Sequence, residues 1–234
     1  MSLPWLLLLL LPAAAAEGPC DIFAKGGTPC VAAHSVVRAL YAAYDGPLYS
    51  VRRLSPDGVA ENTTQDIMPL SAGGVADATS QDAYCGTSPE GCTIAAIFDQ
   101  SPHGNHLRAA PARRGSIDLE VFAAADPLTL GGKKVYSAYF QRVSDYPNAT
   151  GGHEHATAVG VGYRNDTTTG VAKGDEPETL YMVASGQHYN GGCCFDCSPT
   201  HTHTTPTHTH TTPCWRPTRL TVRRLWRVAR RWQR

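Results

Sequence analysis

The sequence predicts an all-β chain, a sandwich of antiparallel sheets with one short helix near the N-terminus. Four short runs rich in aliphatic and aromatic residues carry the β reading: Leu48 to Leu54, Thr93 to Phe98, Val135 to Phe140 and Leu180 to Ala184. Clusters of Gly, Pro, Asn and Asp separate them, as turns do between packed strands. An apolar content of 42% is too high for a wholly disordered chain. Only one long apolar run occurs, which excludes a polytopic membrane protein.

The helix is expected after Thr28-Pro29, over Val31 to Tyr44. Thr28 suits the cap, Pro29 the first helical position, and Gly46 follows the end. Ala32, Val36, Ala39, Leu40 and Ala43 recur at helical spacing. His34 is expected to pack or hydrogen-bond beside that helix. Asp99 to His106 reads as the turn leaving a strand, with His103 and His106 facing solvent because no third ligand accompanies them.

Residues 1–16 read as a secretory signal. Six leucines, Leu6 to Leu11, form the apolar segment, and Ala14, Ala15 and Ala16 offer the small residues of a cleavage site. The chain is therefore expected to be secreted and extracellular, where disulfides are stable. Cys20 with Cys30 and Cys85 with Cys92 would close short loops, so local pairing is the simplest expectation. Spacing alone leaves other connectivities open. Three sequons, at Asn62, Asn148 and Asn165, fit an exported glycoprotein.

Charge divides the chain. The formal net charge is zero, yet all twenty acidic residues lie at or before Asp196, among twelve basic ones, giving −8. Residues 198–234 carry eight arginines and no acid, giving +8. Thr-His-Thr-His-Thr-Thr-Pro occurs twice, at 200–206 and 207–213, a low-complexity tract that builds no core. Arg216, Arg219, Arg223, Arg227, Arg230 and Arg234 step at helical spacing, but Arg224 and Arg231 spoil the apolar face. Neither a membrane nor a nucleic-acid partner is expected. Cys194 and Cys197, with His201, His203, His208 and His210, match no closed tetrahedral pattern, so no metal site is expected.

Several ordered segments resemble the catalytic domain of the fungal α-L-arabinofuranosidase B family, a family of glycoside hydrolases. They include Gly18 to Ile22, Thr28 to Ser35, Arg38 to Tyr41, Ala72 to Ala78, Asp99 to Ser101 and Gly104 to Leu107. Gly162 to Asn165, Gly174 to Glu176, His188 to Asn190 and Cys193 to Asp196 follow. The resemblance implies a concanavalin-like, jelly-roll β-sandwich, here truncated, with no metal or organic cofactor. It further implies a monomer that acts on plant cell-wall polysaccharide, removing terminal arabinofuranosyl units from arabinan and arabinoxylan by a retaining mechanism. In such a family a vicinal disulfide Cys193–Cys194 lines the sugar pocket. Adjacent α-carbons lie about 3.8 Å apart, short of the usual disulfide range, so such a bond locks a tight turn.

A retaining glycosidase uses two carboxylates about 5 to 5.5 Å apart. The resemblance places the glutamate nucleophile and the aspartate acid/base downstream of the double cysteine. No Asp or Glu follows Asp196. The expectation is a signal peptide over 1–16, a partial catalytic domain over 17–196, and a non-homologous tail over 197–234 such as a frameshift or mis-spliced junction produces. On that reading the chain is an inactive fragment whose tail lies outside the native fold. The pairing of Cys197 and Cys214 is left open. The alternative is a non-catalytic, arabinose-binding or polysaccharide-binding sandwich. Asp77 with Asp82, and Asp175 with Glu176 and Glu178, are read as structural and surface acids.

Overall fold

The computed structural model describes residues 16–109, 116–140 and 158–184. The chain divides into two units, residues 1–171 and 172–234. In the first, a five-stranded sheet runs in the order Ala60–Ile67, Tyr49–Leu54, Cys92–Ile97, Leu107–Ala109, Tyr163–Arg164. These strands are β1 (Tyr49–Leu54), β2 (Ala60–Ile67), β3 (Cys92–Ile97), β4 (Leu107–Ala109) and β9 (Tyr163–Arg164), and every pairing is antiparallel. A hairpin of β6 (Asp126–Leu130) and β7 (Lys133–Ser137) stands apart, as does a parallel pair of β5 (Ser116–Leu119) and β8 (Ala158–Val161). The β character expected from the sequence is thus present.

The central strand explains the layout. All six residues of β3 are buried, and they are small or β-branched, as a strand covered on both faces requires. Around it cluster Leu48, Tyr49, Val51, Ile67, Val121 and Val135, each 1% exposed or less. Tyr49 ends in a hydroxyl that must find a partner. It donates to Gln81 Oε1 at 2.5 Å, and Gln81 Nε2 donates to the Ala123 carbonyl at 2.9 Å. Burial pushes the Tyr49 phenol well above its ordinary pKa and keeps it neutral.

Turn chemistry sets the hairpins. Gly131 and Gly132 both take positive φ, at 57° and 75°, between the paired Leu130 and Lys133. A two-residue link with both φ positive matches the right-handed strand twist, and glycine adopts it without strain. The β1–β2 connection closes when Ser55 N donates to the Val59 carbonyl at 2.9 Å.

Among the described residues there are two helices, α1 (Pro19–Lys25) and α2 (Ala78–Cys85), and neither is the one expected. Residues 31–44 are not helical. Their amides go to tertiary partners in place of carbonyls four residues back. Ala33 N donates to Asp99 Oδ1 at 2.7 Å, Leu40 N to Gln100 Oε1 at 2.6 Å, and Ala42 N to Asp21 Oδ2 at 2.7 Å. Ala39 N donates to the Gly74 carbonyl at 2.8 Å. Ser35 Oγ accepts from Val37 N and Arg38 N, a local bond that competes with the helix ladder. A Cβ on Gly18 would lie 2.1 Å from the Leu40 carbonyl oxygen, so only glycine lets α1 approach this segment. His34 therefore has no helix beside it. Its Nε2 lies 2.7 Å from the Asn105 carbonyl, and burial lowers its pKa.

Other expectations shift at their edges. Strands β1 and β3 fall where the runs Leu48 to Leu54 and Thr93 to Phe98 place them, whereas the run Val135 to Phe140 yields β7, which starts two residues earlier and ends at Ser137. The run Leu180 to Ala184 lies outside every described strand, with Leu180 66% and Val183 81% exposed. Apolar composition alone does not supply the neighbouring ladder that makes a strand. In the second unit, residues 172–184 include a turn in which Glu176 N donates to the Lys173 carbonyl and Lys173 N to Glu176 Oε2.

A buried carboxylate ties the loops to the sheet. Asp99, 4% exposed, follows β3. Its Oδ1 accepts from Ala33 N at 2.7 Å and Ser101 N at 2.9 Å. Its Oδ2 accepts from Asn105 N at 2.8 Å and lies 2.7 Å from Ser101 Oγ. Asn105, 2% exposed, extends the network: Nδ2 donates to the carbonyls of Val31 and Thr169, and Oδ1 accepts from Thr169 N at 2.7 Å. Asp99→Ala strands at least three buried donors and is expected to cost about 3 kcal/mol or more. Urea unfolding should show a lower midpoint at unchanged slope, whereas Ser101→Ala should lose only about 1 kcal/mol.

Candidate functional site

The acidic residues are the natural starting point, because glycosidase chemistry requires a carboxylate pair. Asp77 caps α2. Its Oδ1 accepts from Thr79 N and Ser80 N, both at 3.1 Å, and its Oδ2 from Ser80 Oγ at 2.6 Å. The bond from Ser80 Oγ holds this carboxyl below its ordinary pKa. Asp82 sits one turn on, with Oδ1 accepting from Tyr136 OH at 2.7 Å and Oδ2 from Lys134 Nζ at 2.8 Å. The Lys134 ammonium also lies 4.6 Å from the centre of the Tyr136 ring.

These two acids border a cleft of about 190 Å³ with Leu70, Thr79, Lys133 and Lys134. Every carboxylate oxygen there is committed to a structural partner. The cleft joins α2 to the β6–β7 hairpin; it does not present a poised acid and base. Asp175, Glu176 and Glu178 are exposed on the second unit, and Glu176 closes its own turn.

Among the described histidines, His34 and His106 both contact the Asp99–Asn105 turn. His106 is exposed, accepts from Asp99 N through Nδ1 at 3.0 Å and meets Phe98 edge-on at 5.2 Å. His103 is exposed as well. Among the described residues no group of three His, Cys, Asp or Glu side chains is placed to hold a metal ion. No described helix is long and apolar enough to cross a membrane.

Two disulfides close as the short loops suggested, Cys20–Cys30 and Cys85–Cys92. Asn62 is exposed on β2, and Asn165 is partly buried with Oδ1 accepting from Thr167 N at 2.8 Å. Cys193, Cys194, Cys197, Cys214, Asn148 and the residues from 185 onward lie outside the described residues. The sequence reading passed over Asp99, Gln100, Ser101 and Asn105 as positioning groups. Their signal in the sequence is four polar residues within eight positions after a strand that is apolar except for Thr93.

Comparison with known proteins places this frame. The pattern of the family described as "Alpha-L-arabinofuranosidase B, catalytic" matches residues 19–212. A probable alpha-L-arabinofuranosidase B of Aspergillus terreus is 46% identical over 197 residues, covering 81% of this chain and 34% of that protein. The alpha-L-arabinofuranosidase B of Emericella nidulans is 46% identical over 187 residues, covering 77% and 32%. A solved arabinofuranosidase complexed with arabinofuranosyl-alpha-1,2-xylobiose superposes with a TM-score of 0.55 at 41% identity, covering 68% of this chain and 30% of that one. A GH54 α-L-arabinofuranosidase soaked with a cyclic sulfate inhibitor gives the same values.

Fold and sequence together define a glycosidase-type β-sandwich. The chain belongs to the alpha-L-arabinofuranosidase B catalytic family. It spans about a third of the length of the curated relatives it matches. The matched stretch runs sixteen residues beyond Asp196, into the Thr/His tract, and those sixteen contain no Asp or Glu.

Asp77→Ala is expected to lose about 1 kcal/mol near pH 6, the usual worth of a helix cap. The cap carboxyl titrates below its unfolded value of about 3.9. Its contribution is therefore full above that pH and lost as pH falls through the folded pKa. The gap between Asp77→Ala and the parent in unfolding midpoint should shrink correspondingly in acid.

Proposed function

We propose that this chain represents the first part of an exported α-L-arabinofuranosidase catalytic domain, and that as it stands it does not hydrolyse glycosides. The parent activity is removal of terminal, non-reducing arabinofuranosyl residues from arabinan and arabinoxylan. Double displacement through a covalent arabinosyl-enzyme would require a nucleophile and an acid/base about 5 to 5.5 Å apart. One observation carries the reading of inactivity: the family pattern reaches residue 212, yet the last carboxylate is Asp196. The described earlier acids Asp77, Asp82 and Asp99 are bound into a helix cap, an ion pair and a buried loop network.

Export rests on residues 1–16, and the two disulfides support it because such bonds persist in oxidising compartments. The sugar pocket of the parent enzyme is assigned to the Cys193–Cys194 turn, through the family resemblance.

The purified full chain, assayed with 4-nitrophenyl α-L-arabinofuranoside beside a full-length relative, should release nitrophenol no faster than buffer. Turnover above that background overturns the reading of inactivity. Calorimetric titration with arabinose separates the two remaining readings. Saturable binding without hydrolysis would favour a non-catalytic arabinose-binding sandwich over an inactive fragment.

A further inference from the structure

Strand β2 ends the five-stranded sheet, with β1 on one side and, among the described residues, no strand on the other. Such an edge exposes a row of amides and carbonyls that can pair with another chain. Proteins protect edges with lysine, proline, bulges or a cover. Ala60–Ile67 contains neither Lys nor Pro, and its own protection is one register shift and the charges of Glu61 and Asp66. It does contain Asn62-Thr63-Thr64.

Strand β2 keeps register with β1 from Thr64 to Ile67 and slips by two residues between Thr64 and Ala60. Alternate residues of a strand face opposite sides. Thr63 and Gln65 face α2: Thr63 Oγ1 accepts from Tyr84 OH at 3.2 Å, and Gln65 Nε2 donates to the Ser80 carbonyl at 3.4 Å. Thr64 and Asp66 therefore lie on the other side, Asn62 falls within the register shift, and all three are exposed. A substituent on Asn62 Nδ2 leaves the Tyr49–Gln81 core untouched. Asn165 differs, being partly buried with its carbonyl oxygen held by Thr167 N.

We propose that Asn62 carries an N-linked oligosaccharide that shields the outer edge of β2 from pairing with a second copy. The inference rests on the export reading above. In the transfer, Asn62 Nδ2 attacks the anomeric carbon of a polyisoprenyl-pyrophosphate-linked oligosaccharide. An N–C bond forms, the C–O bond to pyrophosphate breaks, the lipid pyrophosphate leaves, and the amide proton passes to base. The glycan's bulk then stands beside the strand edge.

The full chain, made by translation with microsomes and by a eukaryotic secretory host, tests this by peptide mass spectrometry before and after enzymatic deglycosylation. Expected is an occupied Asn62 peptide that is lost in both Asn62→Gln and Thr64→Ala and kept in Thr64→Ser. An unmodified Asn62 in chains that have entered the lumen overturns the proposal. Entry itself is read from removal of residues 1–16. If the native leader fails, an established leader in its place keeps the Asn62 question separate from the export question. Light scattering tests the shielding: the deglycosylated chain should rise in apparent mass with concentration while the glycosylated chain does not. Equal masses for both would overturn the protective role.

Discussion

The described fold depends on one buried carboxylate. Asp99 accepts from the backbone of three segments: its own turn, the loop at Ala33 and the strand approach at Asn105. A buried charge without such donors would be expelled or neutralised. With them it becomes a rivet, because each donor would otherwise be stranded in the interior. Asn105 carries the same logic outward to Thr169, and Gln100 carries it to Leu40. Sixty to seventy residues of sequence separation are bridged by one seven-residue turn.

That network also explains which parts of the fold were legible in the sequence. Strands β1 and β3 were, because burial on the sheet leaves an aliphatic signature that period and composition detect. The short disulfide loops were too, since their spacing admits few simple solutions. The segment 31–44 was misread because its apolar spacing is helical while its amides are claimed from far away. Tertiary bonds override local propensity. Strand β2 was missed for the opposite reason: a polar edge strand, mostly exposed, has no apolar stripe to betray it. Helix α2 carried a readable start in Asp77-Ala78-Thr79-Ser80, but its weakly amphipathic body gave little periodicity.

For the site, the sequence was informative chiefly by its charges. No Asp or Glu follows Asp196, although the family match continues to residue 212. The acids that border the cleft are engaged in structural contacts. Asp77 and Asp82 lie in a common cleft, yet their oxygens already serve Thr79, Ser80, Tyr136 and Lys134. Asp77 accepts three such bonds and Asp82 two, so both carboxylates are held in place by the scaffold.

Native-state hydrogen exchange on the folded chain addresses the central claim most directly. If the Asp99 network is part of the cooperative core, the amides of Ala33, Ser101 and Asn105 will exchange only through the same opening as Ile94 in β3. Their protection should then agree with that of Ile94 within about tenfold. Exchange of the three loop amides far faster than Ile94, at conditions where β3 remains protected, would contradict the account.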